Sequence, residues 1–198
     1  MRIFSLFFFL LVSSLAHADP RTIIADFEVL KRTDVDYTVE GVTCEQIAKL
    51  RLEREFPPSR YEVVTGIAYG DTRNTIGELD AVVFDRATSA AIIVAEVKCR
   101  NDLSDARKKA TEQQRRFAAA MASPGARQLF FVWTANAGRT FRPEQFMRRP
   151  RLEAIAQQGA RAAGFDRELN HTLEETRQLR LELLECHRSN RCAWGIGR

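Results

Sequence analysis

Two short apolar runs separated by a polar segment constrain the fold of this chain more than any other feature. The runs cover 79–84, which contains AVVF, and 91–97, which reads AIIVAEV. Their β-branched residues favour strands. The polar residues 85–89 between them are typical of a turn. The pattern therefore predicts an antiparallel hairpin in the middle of the chain.

The elements predicted on either side of this hairpin indicate the fold class. Residues 43–56 carry one apolar stripe typical of a helix, and 61–67 predicts a first strand. A long helix is predicted over 103–122, a strand over 128–134, and helices over about 143–163 and 167–186. This order predicts an α/β fold, a mixed central sheet flanked by helices, with further C-terminal helices. A length of 198 residues without repeats or a Gly/Ser linker suits one domain. Its core is expected over 19–138, with 139–198 as a helical extension of the same domain.

Charged residues stand at the end of the predicted hairpin. Glu96 and Lys98 are two residues apart on one strand, so their side chains share a face of the sheet. Asp80, near the start of the preceding strand, falls roughly opposite Glu96 if the turn is centred near residue 88. Charges beside an apolar core are costly unless they are paired or bind a metal. The three groups are therefore expected to converge.

This set of groups suits a hard cation. Mg²⁺ prefers oxygen ligands and keeps several waters, so the expected ligands are Asp80, Glu96 and the backbone carbonyl of Val97. A metal held there could activate a water and orient a phosphate. Lys98 would add positive charge where a phosphate oxygen becomes more negative.

The segments Gly77-Glu78-Leu79-Asp80 and Glu96-Val97-Lys98 resemble the PD-(D/E)xK nuclease superfamily, the restriction-endonuclease-like fold. They are most similar to its Holliday-junction-resolvase-like branch. The resemblance covers about 41–135 and implies an αβββαβ core, Mg²⁺ or Mn²⁺, and phosphodiester hydrolysis. It implies Asp80 and Glu96 as metal ligands and Lys98 as the catalytic lysine. Glu45, on the preceding predicted helix, matches the branch's helical glutamate and would be an auxiliary acid.

Basic residues follow the lysine. The net charge of +4 and the pI of about 9.1 favour an anionic partner. A nucleic-acid-binding surface is expected from five residues, Arg100, Lys108, Lys109, Gln113 and Arg116. Gln113 and Phe117 also resemble the Gln-x-x-x-aromatic element of exonuclease-type members of the superfamily. A solvated helix face is the alternative interpretation of these charges.

The first eighteen residues are typical of a secretory signal peptide. Arg2 precedes an apolar run over 3–12, and Ala16-His17-Ala18 is a small-x-small cleavage pattern. Cleavage after Ala18 would give a secreted or periplasmic protein without a membrane segment. An uncleaved anchor is the alternative.

The chain has four cysteines, and an even number in an oxidising compartment outside the cytosol suggests that they form disulfides. They allow three connectivities. The short polar loop between Cys186 and Cys192 could close locally, which would leave Cys44 with Cys99, and we hold this pairing as a hypothesis. A zinc site made of Cys186, His187, Cys192 and His171 is the alternative, although the spacing matches no familiar pattern.

These patterns together predict a secreted, metal-dependent nuclease. Its expected partner is nucleic acid, DNA in preference to RNA, and the sequence indicates no oligomeric state. The alternative is a non-catalytic, disulfide-stapled module on the same fold that binds nucleic acid or another protein. The chain has neither GxxxxGK[ST] nor GxGxxG, which argues against a phosphate-binding loop.

Overall fold

A computed structural model describes residues 20–135 and 138–192. The predicted signal peptide, 1–18, and its cleavage site lie outside the described residues. Among the residues described, no helix is long and apolar enough to cross a membrane.

A seven-stranded mixed sheet forms the centre of the protein, in the order β5-β4-β1-β2-β3-β6-β7. The pairs from β5 to β3 in this order are all antiparallel, whereas β6 runs parallel to both β3 and β7. This confirms the predicted α/β class with a mixed sheet. The strands are β1 (Tyr61–Gly70), β2 (Thr75–Asp85), β3 (Ala91–Val97), β4 (Phe130–Trp133), β5 (Thr140–Phe141), β6 (Arg151–Ala156) and β7 (Arg167–Glu168).

Helices cover both faces of this sheet. The helices are α1 (Pro20–Leu30), α2 (Val42–Glu55), α3 (Leu103–Ala122) and α4 (Leu173–Arg188). Apolar residues of α1, α2 and α4 share one core cluster with one face of the sheet. Residues of α3 pack in two clusters on the other side. Burial of these apolar surfaces is what fixes the helices on the sheet.

The predicted hairpin is present as β2 and β3. Its register pairs Ala81 with Ala95 and Val83 with Ile93, and it shifts between Val83 and Phe84 close to the turn. Continuing this register by one residue places Asp80 opposite Glu96, as the sequence predicts. The short turn and the buried faces of both strands fix the register, because a slip by one residue would turn every side chain to the other face.

The C-terminal third differs from the sequence prediction. The helix expected over 143–163 is wrong, because Arg151–Ala156 forms β6 beside β3, with short 3-10 segments on either side. Backbone pairing with β3 outweighs the helix-like composition of these six residues. The last helix begins at Leu173, where Thr172 and Glu175 form a capping box, and not at 167. Helix α1 was not predicted.

Candidate functional site

Three charged side chains converge where β2 and β3 end their pairing. Lys98 Nζ lies 2.5 Å from Asp80 Oδ2 and 3.3 Å from Glu96 Oε2. Glu96 is 1% exposed and Asp80 7%. The structure therefore brings together the two carboxylates and the lysine that the sequence singles out.

The backbone around these groups explains their placement. The amide of Val97 donates to Asp80 Oδ2 at 2.8 Å, so a side chain takes the bond that would continue the β2–β3 ladder. On the other side, the amide of Lys98 donates to the carbonyl of Ile155 in β6 at 2.9 Å. The end of β3 is thus held from both neighbouring strands.

Gln157 is a positioning residue that the sequence analysis missed. Its Oε1 accepts from the amide of Arg100 at 3.2 Å, and its Nε2 donates to the carbonyl of the same residue at 2.6 Å. This buried side chain therefore fixes the segment directly after Lys98. The sequence pattern does not indicate this role, because Gln157 directly follows β6 and the pattern there predicts a helix.

Mutual repulsion and burial govern the ionisation of the acids. Burial, and then the charge of Asp80, raise the pKa of Glu96 to about 9. Burial, followed by the charges of Asp80 and Glu78, raises the pKa of Glu45 to about 8. Burial lowers the pKa of Lys98, but Asp80 and Glu96 outweigh it and the net shift is upward.

Glu45 and Glu78 place further carboxylates near the converged groups. Glu45 lies in the first turn of α2 and is partly buried. Glu78 lies on β2, and partial burial of its carboxylate, followed by the charge of Asp80, raises its pKa. Glu78 was not assigned a role from the sequence, although its position two residues before Asp80 on the same strand was a usable signal.

A cavity of about 470 Å³ opens beside Lys98. Four of the five residues predicted to bind nucleic acid line it, whereas Lys108 is exposed and does not. Asp80 and Glu96 are not among its lining residues, whereas Lys98, which contacts both, is one of them. The lining residues are Glu40, Gly41, Glu45, Val97, Lys98, Cys99, Arg100, Lys109, Glu112, Gln113 and Arg116.

Phe117, matched with Gln113 in the sequence analysis, has a different environment. It is buried in the core beside Tyr69 and Phe146. Gln113 is thus the only member of that pair that reaches the cavity.

Only two side chains, those of Asp80 and Glu96, are expected to bind a metal ion at this site. Within 20–135 and 138–192, no group of three or more His, Cys, Asp and Glu residues is placed to hold a metal. The predicted ligand set has two carboxylates and one backbone carbonyl. The donor chemistry nevertheless fits a hard cation, because Asp80 and Glu96 already converge on one ammonium group.

Two disulfides are present, Cys44–Cys99 and Cys186–Cys192, which confirms the hypothetical pairing. Zinc at the C-terminal cysteines is therefore excluded, because both sulfurs are in a bond. Cys99 packs against the core cluster that contains α2, on the side of the sheet opposite α3. Cys99 also lines the cavity beside Lys98, so the bond lies at the edge of the site.

Comparison of the chain with protein-family models, with curated proteins and with solved structures finds no match. A role for this site is therefore argued from its own chemistry.

Proposed function

We propose that the protein is a metal-dependent nuclease of the PD-(D/E)xK type. One observation carries the proposal: Lys98 lies within hydrogen-bonding distance of two buried carboxylates and also lines a cavity together with several other basic side chains. A lysine that serves only to neutralise buried acids has no need to face such a cavity. Perturbed, converging charges beside a cleft are typical of a functional site.

Asp80 and Glu96 would hold Mg²⁺ or Mn²⁺, with the carbonyl of Val97 as a third oxygen. Lys98 balances only one of the charges that Asp80, Glu96 and Glu45 would carry if all three were ionised, and a divalent cation would stabilise their ionised forms. When bound, such a metal lowers the pKa of a water and stabilises charge on a phosphate.

The other residues of the cavity have separable tasks. Arg100, Lys109 and Arg116 would bind phosphates of the substrate. Lys98 would stabilise the charge that builds up on the oxygens of the attacked phosphate. Glu45, with its pKa of about 8, holds a proton at neutral pH and could give it to the leaving oxygen.

The compartment proposed for this activity is outside the cytosol. Two disulfides that involve all four cysteines are compatible with an oxidising environment. The N-terminal pattern suggests secretion or export to the periplasm.

The test uses protein purified with both disulfides formed. Circular plasmid DNA and single-stranded RNA are incubated with it in Mg²⁺ or in EDTA, beside Lys98→Ala and the control Lys108→Ala. We expect cutting in Mg²⁺, loss of cutting in EDTA and in Lys98→Ala, and wild-type cutting by Lys108→Ala. No cutting of either substrate by folded protein with Mg²⁺ or Mn²⁺ would refute the proposal.

A non-catalytic nucleic-acid-binding module is the second candidate. The observation in its favour is that Lys98 and other basic residues line the cavity, whereas Asp80 and Glu96 do not. Such a module would bind nucleic acid without binding Mg²⁺, and Asp80→Ala would leave that binding intact. A nuclease would lose Mg²⁺ binding and activity together in the same variant.

A further inference from the structure

A further cavity lies at the C-terminal end of α3, and we call it the α3-end cavity. It measures about 600 Å³, within the range of about 300–1,000 Å³ that is typical of ligand-binding cavities. It shares no lining residue with the cavity beside Lys98. Met121, which lines it, follows Gln113 by roughly 12 Å along the helix axis. The α3-end cavity is therefore separate from the candidate active site.

Apolar side chains from three segments form most of the lining of the α3-end cavity. Phe117 and Phe146 are 2% and 1% exposed, so they contribute little accessible surface. Met121, Met147 and Leu152 are half-buried and supply the accessible apolar lining. Methionine is flexible and polarizable, and surfaces rich in it adapt to the apolar side chains of a partner. The lining therefore suits a bulky apolar group.

Two arginines give the α3-end cavity a positive charge. Arg127 and Arg149 line it and are exposed, and neither guanidinium forms an ion pair or a hydrogen bond within residues 20–135 and 138–192. No aspartate or glutamate of the same residues lines the cavity. The C-terminus of α3 contributes roughly half a negative charge, which two full positive charges outweigh. The complementary occupant is therefore anionic as well as apolar.

Arg149 has a backbone conformation that is costly for an arginine. Its φ is 54°, in the left-handed region, and Pro150 follows it, although a residue before proline favours an extended conformation. Glycine would make the same turn into β6 at a lower cost. The turn alone thus does not account for an arginine here, whereas a positive charge at the cavity does. Strained residues of this kind cluster at binding sites.

The lining favours a protein segment over a nucleic-acid strand. Proteins that bind single strands stack the bases on accessible aromatic rings. Both rings of the α3-end cavity are buried, and the ring centroids of Phe146 and Phe131 lie only 4.1 Å apart. The accessible apolar groups are methionine and leucine side chains, which match the apolar anchor of a peptide. Acidic residues beside such an anchor would pair with the two arginines.

We propose that the α3-end cavity docks a segment of a partner protein in which a bulky apolar side chain is flanked by acidic residues. The apolar side chain would lie against Met121, Met147 and Leu152. The acidic residues would pair with Arg127 and Arg149. A partner bound in this way leaves the candidate active site unoccupied, and the proposal does not depend on nuclease activity.

The first experiment selects short peptides from a random display library on the wild-type protein with both disulfides formed. Peptides that also bind Met147→Gln are removed, because this substitution keeps the length of the side chain and places a polar group in the cavity. We expect the remaining peptides to combine one large apolar residue with neighbouring aspartates or glutamates. Recovery of no peptides, or of neutral or basic ones, would overturn the proposal.

The second experiment measures the affinity of one recovered peptide by fluorescence polarisation. Met121→Gln, which plays no part in the selection, should weaken binding at least about tenfold if the anchor lies in the cavity. Arg149→Gly should weaken binding about threefold at low salt, as expected for an exposed ion pair. The same variant removes the strained conformation of Arg149, so its melting temperature should be unchanged or higher.

Arg161→Ala is the matched control for the loss of one positive charge. Arg161 is also exposed, but it lies in the 3-10 segment Ala160–Ala163, beside Ala106 and Ala110 in the N-terminal half of α3. This variant should bind the peptide as the wild type does. Equal weakening by Arg161→Ala and Arg149→Gly would show that only net charge matters, and wild-type binding by Met121→Gln would place the peptide elsewhere. Either result would overturn the proposal.

Two further measurements test other occupants of the α3-end cavity. Displacement of the peptide by a single-stranded oligonucleotide that binds more weakly to Met121→Gln would assign the cavity to nucleic acid. Self-association of the wild type that Met121→Gln abolishes would assign it to a second copy of the chain. We expect neither, and each would overturn the proposal. Melting temperatures without peptide show whether the variants are folded.

Discussion

Cys44 is bonded to Cys99, so the residue before Glu45 is joined covalently to the residue after Lys98. The bond ties the first turn of α2 to the end of β3. Its Cys99 also lines the cavity beside Lys98. The link thus adds to the packing of α2 and the hydrogen bonds of β3 in setting the relative position of the acid on the helix and the lysine on the strand.

Removal of this disulfide should reduce both stability and activity. The bond closes a separation of 55 residues, for which chain entropy predicts a loss of about 4 kcal/mol in the free energy of unfolding. The Cys44→Ala, Cys99→Ala double variant should also cut nucleic acid more slowly at a temperature where it is still folded. Urea unfolding and the nuclease assay test both parts.

The other disulfide provides the control. Cys186–Cys192 spans only 6 residues, and the same treatment predicts a loss of about 2 kcal/mol. Its double alanine variant should keep wild-type activity while folded. Equal activity of the Cys44–Cys99 variant and the wild type would show that the bond only stabilises the fold.

Glu96→Gln should separate catalysis from stability. The amide keeps the shape of the side chain and cannot ionise, whereas the buried carboxyl of Glu96, with its pKa raised to about 9, is costly to ionise. We therefore expect an unchanged or higher melting temperature, together with at least about a hundredfold loss of metal-dependent cutting. Thermal denaturation and initial cutting rates give the two quantities.

Glu153→Gln is its matched control on the neighbouring strand. Glu153 is also buried and bonds to Arg167, but neither residue lines the cavity. This variant should melt at a lower temperature because it breaks a buried ion pair, and the folded protein should cut normally. Normal cutting by Glu96→Gln together with loss of cutting by Glu153→Gln would contradict the assignment of Glu96 to the active site.

Stability in EDTA should fall as pH rises. An unfolded chain releases the protons of Glu45 and Glu96 near their ordinary pKa of 4.5, whereas the folded protein holds them to about 8 and 9. The folded state binds more protons in that interval, so the free energy of unfolding decreases from about pH 4.5 to 9 and then levels. Melting temperatures across this range test the slope.

Divalent metal should counter this loss. Binding to Asp80 and Glu96 requires the ionised carboxylate of Glu96, so Mg²⁺ should raise the melting temperature more at pH 9 than at pH 6. The increase should disappear in Asp80→Asn. An increase that is independent of pH and survives this substitution would place the metal elsewhere.

Lys109 and its neighbour Lys108 offer a sharp test of the binding surface. Lys109 lines the cavity and Lys108 does not. Lys109→Ala should weaken nucleic-acid binding and reduce the slope of log affinity against log salt by about one phosphate contact. Lys108→Ala should leave the slope unchanged. Equal effects would indicate only a diffuse charged helix face.

The convergence of Asp80, Glu96 and Lys98 could be predicted because it is local. A short turn joins two strands whose alternation and register follow from their apolar residues. The cysteine pairing could also be predicted as a hypothesis, because the short loop between Cys186 and Cys192 suggests one bond and leaves Cys44 with Cys99. The same alternation places Glu78 on the face of β2 that carries Asp80, but the sequence analysis assigned it no role.

Tertiary structure alone decided the remainder. Residues 151–156 suit a helix or a strand by composition, and the free edge of β3 made them β6, which then placed Gln157 against Arg100. A cavity beside the site brings together Thr43 of α2, Arg177 of α4 and Arg100 from the segment after β3, which are far apart in the chain. Sequence periodicity describes which face of an element is apolar, and therefore it determined the hairpin and its charges. It carries no information on which edge or helix end lies beside another, because that depends on how the apolar faces pack together.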